Sequence, residues 1–157
     1  MADYILERRV WLPRPRAVVF DFFADPRNLE RLHPAWARPR WLTPPPARLA
    51  AGVVLDFRAA WLPGRWRVII REFDAPYRFV DAQVNGPFAR WEHRHRFTEG
   101  AEGAGGTWVE DRVTYRPPLG PLGRLIHSVG AGRQVRHLFD YRDRSLRDLF
   151  GGGPDKT

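Results

Sequence analysis

The sequence predicts an α+β protein: a curved antiparallel sheet of about six to seven strands around a long C-terminal helix, with two short helices after the first strand. Three observations carry this. From Gly52 to Tyr115 apolar residues recur at every second position between turn signals. From Arg133 to Phe150 they recur instead at helical spacing, and shorter helical stretches lie near the N-terminus. A long amphipathic helix has to bury its stripe, and the inner face of the sheet is the only large apolar surface predicted. A space left between the two is where a ligand would sit.

In chain order, Tyr4 to Trp11 reads as a strand ended by Pro13 and Pro15. Pro15 suits a first helical turn, and Val18, Val19, Phe22 and Phe23 form an apolar stripe after it. Asp25-Pro26 breaks this helix, Asn28 to Leu32 forms a second one, and His33-Pro34 ends that. A proline-punctuated stretch follows, with a short edge strand at Arg40 to Leu42. Val53, Leu55, Phe57 and Ala59 then alternate with Asp56 and Arg58, and Trp66, Val68 and Ile70 alternate with Arg65, Arg67 and Arg71. Pro63-Gly64 and Ala75-Pro76 mark the intervening turns. The loop Glu99 to Gly106 is glycine-rich and expected to be mobile, and Trp108 to Tyr115 is a further strand. Leu119 to Val129 is a short helical piece, broken at Gly130-Ala131-Gly132 before the long helix begins. On that helix Val135, Leu138, Phe139, Arg142, Leu146, Leu149 and Phe150 share one side. Gly120, Gly123, Gly130 and Gly132 serve either as caps or as hinges of a gate.

The segment Arg78 to Phe97 carries the chemistry. It reads as two strands joined at Asn85-Gly86-Pro87. On the second strand Arg90, Glu92, Arg94 and Arg96 alternate with Trp91, His93, His95 and Phe97. The charged face must be wet, so the two histidines point inward between a tryptophan and a phenylalanine. If the glycine-rich loop closes a hairpin, Asp111 stands opposite His93 or His95. A carboxylate there would fix an imidazole tautomer and raise its pKa, and the pair could act as a general base. Asp81 and Gln83 compete with Val80, Ala82 and Val84 for the inner face. A two-residue turn sends Asp81 outward, and a three-residue turn or bulge reverses it. Phe57, Trp66, Trp91 and Tyr115 complete an aromatic interior, in a chain with seven tryptophans. His-x-His on a strand can hold a metal, but no third ligand stands at a defining spacing, so no metal and no cofactor are assigned.

The chain has 157 residues, a formal net charge of +8 and no cysteine. This excludes disulfides, thiolate metal sites and cysteine nucleophiles. Residues 1–150 are expected to form one ligand-binding domain, with 151–157 a disordered tail. The arginines are scattered beside acids, which argues for a solvated surface over a nucleic-acid footprint. No apolar run suits a signal peptide or a membrane span, so a cytoplasmic protein without membrane insertion is expected.

The order of elements, with Val19-Phe20, Phe22 and Asp25-Pro26-Arg27-Asn28-Leu29, then Phe79-x-Asp81-x-Gln83, Gly86-Pro87-Phe88, Trp91-x-His93-x-His95-x-Phe97 and Pro118-Leu119-Gly120-x-Leu122-Gly123, resembles the START-like (SRPBCC) superfamily over residues 3–150. The resemblance is closest to its bacterial cyclase/dehydrase-like, ligand-binding branch. It implies the helix-grip fold and a hydrophobic cavity, and supplies no catalytic motif to carry over. The expected partner is a hydrophobic small molecule: a lipid, an isoprenoid or a polycyclic aromatic. Its cavity would be lined by Phe57, Trp66, Gln83, Trp91, His93, His95, Asp111 and Tyr115. The alternative is a cyclase or dehydratase using His93 or His95 with Asp111. Monomer and homodimer both remain open.

Overall fold

In the computed structural model, residues 3–62, 64–100, 105–120, 122, 125 and 127–151 are described. Seven antiparallel strands form one sheet: β1 (Tyr4–Leu12), β2 (Pro39–Trp41), β3 (Val54–Ala59), β4 (Trp66–Asp74), β5 (Arg78–Asn85), β6 (Arg90–Glu99) and β7 (Thr107–Arg116). Their spatial order is β1-β7-β6-β5-β4-β3-β2, so every neighbour is a sequence neighbour except β1, which closes onto β7. Helix α1 (Arg16–Ala24) and a 3₁₀ turn (Pro26–Leu32) follow β1, and α2 (Gly132–Phe150) ends the described chain. The sheet curls into a half-barrel against α2, which is the expected helix-grip architecture. Register shifts between Arg67 and Val68 and between Ile70 and Glu72 add to the curl, since bulges increase local twist.

The inner face follows the alternation in the sequence. On β6, Trp91, His93, His95 and Phe97 are buried, while Arg90, Arg94 and Arg96 are exposed. On α2 the buried side is Val135, Leu138, Phe139, Arg142, Leu146 and Phe150, a stripe at three- and four-residue intervals interrupted by one charge. α1 contributes Val19, Phe20, Phe23 and Ala24 to the same core. Gly151 ends α2 with φ 77°, its N–H donating to the Arg147 carbonyl at 2.8 Å.

Two local expectations are corrected. The expected break at Gly130-Ala131-Gly132 is a π-helical turn, His127–Ala131, running directly into α2. Gly132 permits this by close approach: a Cβ there would lie 2.5 Å from Nε2 of His127. Asp56, on the alternating polar side of β3, is 4% exposed because Arg65 and Arg67 cover it in ion pairs. The mobile loop expected at 99–106 and the tail at 151–157 fall largely outside the described residues, as does Gly123. Many surface arginines pair locally, Arg90 and Arg116 with Asp3 and Arg8 with Asp140. Among the described residues no helix is long and apolar enough to cross a membrane.

Candidate functional site

A cavity of about 120 Å³ lies between the sheet and α2. β3 and β4 supply Leu55, Phe57, Trp66, Val68 and Ile70, and α2 supplies Leu138 and Phe139. Leu29, Leu32 and His33 of the 3₁₀ segment and its end close one side. The charged and imidazole groups on its wall include Asp81, His93, His95 and Arg142, gathered from β5, β6 and α2.

Cross-strand pairing assembles the polar cluster. β6 and β7 pair with His95 opposite Asp111, one of the two expected registers. β5 and β6 pair with Asp81 opposite His93 and Phe79 opposite His95, the register of a three-residue turn, so Asp81 faces inward. Asp111 Oδ1 lies 2.8 Å from His93 Nε2 and 3.1 Å from His95 Nδ1. Asp81 Oδ2 lies 3.0 Å from His95 Nε2 and 3.9 Å from His93 Nδ1. Arg142 reaches in from α2, donating from Nε to Asp111 Oδ2 and from Nη2 to Oδ1, each at 3.1 Å. Its Nη2 also stands 3.3 Å from His95 Nδ1. Aromatic rings hold the imidazoles from the sides. Phe79 stacks on His95 at 4.0 Å between centroids, and Phe139 meets His93 edge-on at 5.3 Å.

Burial would raise the Asp111 pKa, but Arg142 and the two histidines outweigh it and hold the carboxyl well below its usual range. The rise expected for an imidazole beside Asp111 is reversed at His93: burial drops its pKa to about 4, the neighbouring His95 adds to the drop, and Asp111 opposes it without prevailing. At neutral pH His93 is therefore an uncharged imidazole beside a charged carboxylate.

Of the residues expected to line a ligand cavity, Phe57, Trp66, Trp91, His93 and His95 are at its wall. Asp111 stands behind the histidines. Gln83 serves the β5–β6 loop, donating from Nε2 to the Phe88 carbonyl at 2.6 Å and accepting the Phe88 N–H at 3.3 Å. The Tyr115 hydroxyl meets His127 Nε2 at 2.9 Å, which ties β7 to the π-turn. Neither Gln83 nor Tyr115 is at the cavity wall, because each spends its polar atoms elsewhere. Sequence reasoning missed Arg142 and His33 as site residues. The signal for Arg142 was present: it is the one charge in the apolar stripe of α2.

His33 gives a pH prediction. Burial lowers its pKa from 6.5 to about 4, against the hydrogen bond to the Leu29 carbonyl at 2.7 Å, which raises it. At pH 7 the ring is neutral in folded and unfolded chains alike. As pH falls from about 6.5 to about 4, the unfolded chain takes up a proton that the folded chain refuses. Stability is lost across that window, by up to about 3 kcal/mol. Urea midpoints at pH 7.0, 5.5 and 4.5 should fall less steeply for His33→Gln than for the wild type. Identical slopes would rule out this assignment.

The curled sheet, the helix it grips and the cavity between them define a START-like protein. The chain belongs to the family described as polyketide cyclase / dehydrase and lipid transport, whose model matches residues 12–139. Solved structures agree on the fold. A START superfamily protein from Mycobacterium smegmatis is 14% identical with a TM-score of 0.62, over 92% of this chain and 98% of that one. A Thalictrum norcoclaurine synthase point mutant in complex with a transition-state analogue is 9% identical with a TM-score of 0.65, over 94% and 96%. The nucleoside-diphosphate sugar epimerase of Corynebacterium glutamicum is 26% identical with a TM-score of 0.68, over 91% of this chain. This chain spans only 28% of that epimerase's length. The comparison with curated proteins returned no match.

Proposed function

We propose that this is a cytoplasmic binding protein for a hydrophobic small molecule, namely a lipid, isoprenoid or polycyclic aromatic held between the sheet and α2. One observation carries the reading: an aromatic and aliphatic cavity with a cluster of polar groups, Asp81, His93, His95 and Arg142, on its wall. The apolar walls supply contact area, and His93 and His95 orient one polar group of the ligand. Native mass spectrometry of the purified protein, followed by denaturing extraction, tests this. A stoichiometric hydrophobic adduct is expected, and it should be absent from Ala59→Trp, which fills the cavity at the β3 wall. A clean mass, with no thermal shift across lipids and polycyclic aromatics, would count against the reading.

The buried His93–Asp111 contact at 2.8 Å supports a second reading, a cyclase or dehydratase. Asp111 would hold the His93 Nε2–H, leaving Nδ1 to accept a proton from an enolisable substrate. Turnover that vanishes in His93→Ala while ligand binding persists would separate this from simple carriage.

A further inference from the structure

We propose that Asp81, His93 and His95 form a binding site for one divalent first-row transition metal, open to the cavity. This deepens the cavity-binding reading, because the metal would be the group that captures the ligand's polar oxygen.

The donor geometry comes first. One oxygen of Asp81 and one nitrogen of each histidine lie within 4.8 Å of one another. Toward Asp81 Oδ2 stand His95 Nε2 at 3.0 Å and His93 Nδ1 at 3.9 Å. Ligands about 2.1 Å from a metal stand about 3–3.5 Å apart when adjacent, so small side-chain rotations bring all three into range. Strand pairing fixes the arrangement, since Asp81 lies directly opposite His93, and His95 follows on the same face of β6.

The second observation is behind the rings. Asp111 Oδ1 faces the far nitrogen of both histidines, at 2.8 Å from His93 Nε2 and 3.1 Å from His95 Nδ1. A metal-binding imidazole almost always gives its other N–H to a carboxylate or carbonyl, which sets the tautomer. Here one carboxylate does this for His93 and is placed to do it for His95 once a metal is bound. His93, 7% exposed, then presents the Nδ1 lone pair to the cavity, beyond hydrogen-bond reach of Asp81 at 3.9 Å. Without metal, His95 Nε2–H donates to Asp81 while Arg142 Nη2 donates to Nδ1. Loading moves that ring proton from Nε2 to Nδ1, where Asp111 Oδ1 receives it, so no proton is lost. Two carboxylates face one guanidinium in this cluster, which leaves a negative charge for the cation to offset.

Two imidazoles and one carboxylate suit zinc or ferrous iron rather than calcium or magnesium, which prefer oxygen. Three protein ligands leave at least one position free, and the free side is the cavity. A ligand with a carbonyl, enolate or phenolate oxygen would take it.

Chelator-treated protein titrated with Co(II), without organic ligand, tests the site directly. The wild type should bind one Co(II) with visible d–d absorption, and Zn(II) should displace it. Asp81→Asn, which keeps the shape and removes the charge, should lose the band, as should His95→Phe. His137→Gln, an exposed histidine of α2 outside the cavity, should keep it. Circular dichroism and thermal melting show whether each variant is folded. If Asp81→Asn fails to fold, the loss of the band in folded His95→Phe, compared with His137→Gln, still decides. No Co(II) band in wild type, or an unchanged band in Asp81→Asn, overturns the proposal. Neither result bears on hydrophobic ligand capture, which the mass spectrometry reads separately.

Discussion

Replacing Arg142 with alanine is expected to cost about 3–5 kcal/mol of stability, although the residue is a surface-type side chain on a helix. Arg142 is 4% exposed and holds Asp111, 2% exposed, through two hydrogen bonds. Its removal leaves a buried carboxylate facing two imidazoles with no full positive charge beside it. The sign of the pH dependence should also change. In the wild type the Asp111 pKa is depressed, so its contribution is present above about pH 4 and is lost on acidification. In Arg142→Ala burial is no longer opposed by the guanidinium, and acidification should relieve the strain instead. The double variant Asp111→Asn/Arg142→Met should recover much of the loss, because a neutral, well-packed pair avoids the desolvation of two charges. Urea unfolding of the single and double variants at pH 7 and at about pH 3.5, below the usual carboxylate pKa, makes the comparison. Additive losses, or a loss under 1 kcal/mol for Arg142→Ala, would show that the pair does not carry the inner wall.

The next largest effect belongs to Phe20. Phe20→Ala should cost about 3–5 kcal/mol, since large-to-small changes in a core lose transfer energy and leave a void. The ring is 1% exposed and meets Phe73, Phe79 and Phe97 edge-on at centroid distances of 5.4, 6.1 and 5.1 Å. Phe79 in turn stacks on His95. The void should therefore loosen an imidazole of the site, seen as altered exchange broadening of its ring protons. Val18→Ala, on the exposed side of the same helix, should stay within about 0.5 kcal/mol. Equal losses for the two would mean that α1 does not pack as described.

The sequence displayed the β6 face plainly because four arginine and glutamate positions on one side leave no choice for the other. β5 was ambiguous for a physical reason: Phe79, Val80 and Ala82 are all buried, so periodicity does not select a face, and the turn length does. Asp111 could be placed opposite a histidine from loop closure alone, but the choice of His95 required the hairpin register. Arg142 was legible as a position and not as a function. Its burial depends on an anion 31 residues away, which no local pattern reports. The π-turn was hidden for a similar reason. Glycines at 130 and 132 read as a break until the His127 ring is seen against Gly132.

The pairing of β1 with β7 has a consequence for synthesis. Tyr4 meets Tyr115 and Leu12 meets Thr107, so β1 has no partner until β7, the last of the seven strands, appears. At about 5–20 residues per second, a nascent chain carries that strand unpaired for roughly 5–20 seconds. Val10 and Leu12, which end at 1% and 0% exposure, stay without their final cover throughout that interval. Such non-local closure is slow for any chain, since the entropy of the long loop is lost before the contacts form. On the ribosome, β1 is therefore the segment most open to a holding chaperone or to a neighbouring nascent chain.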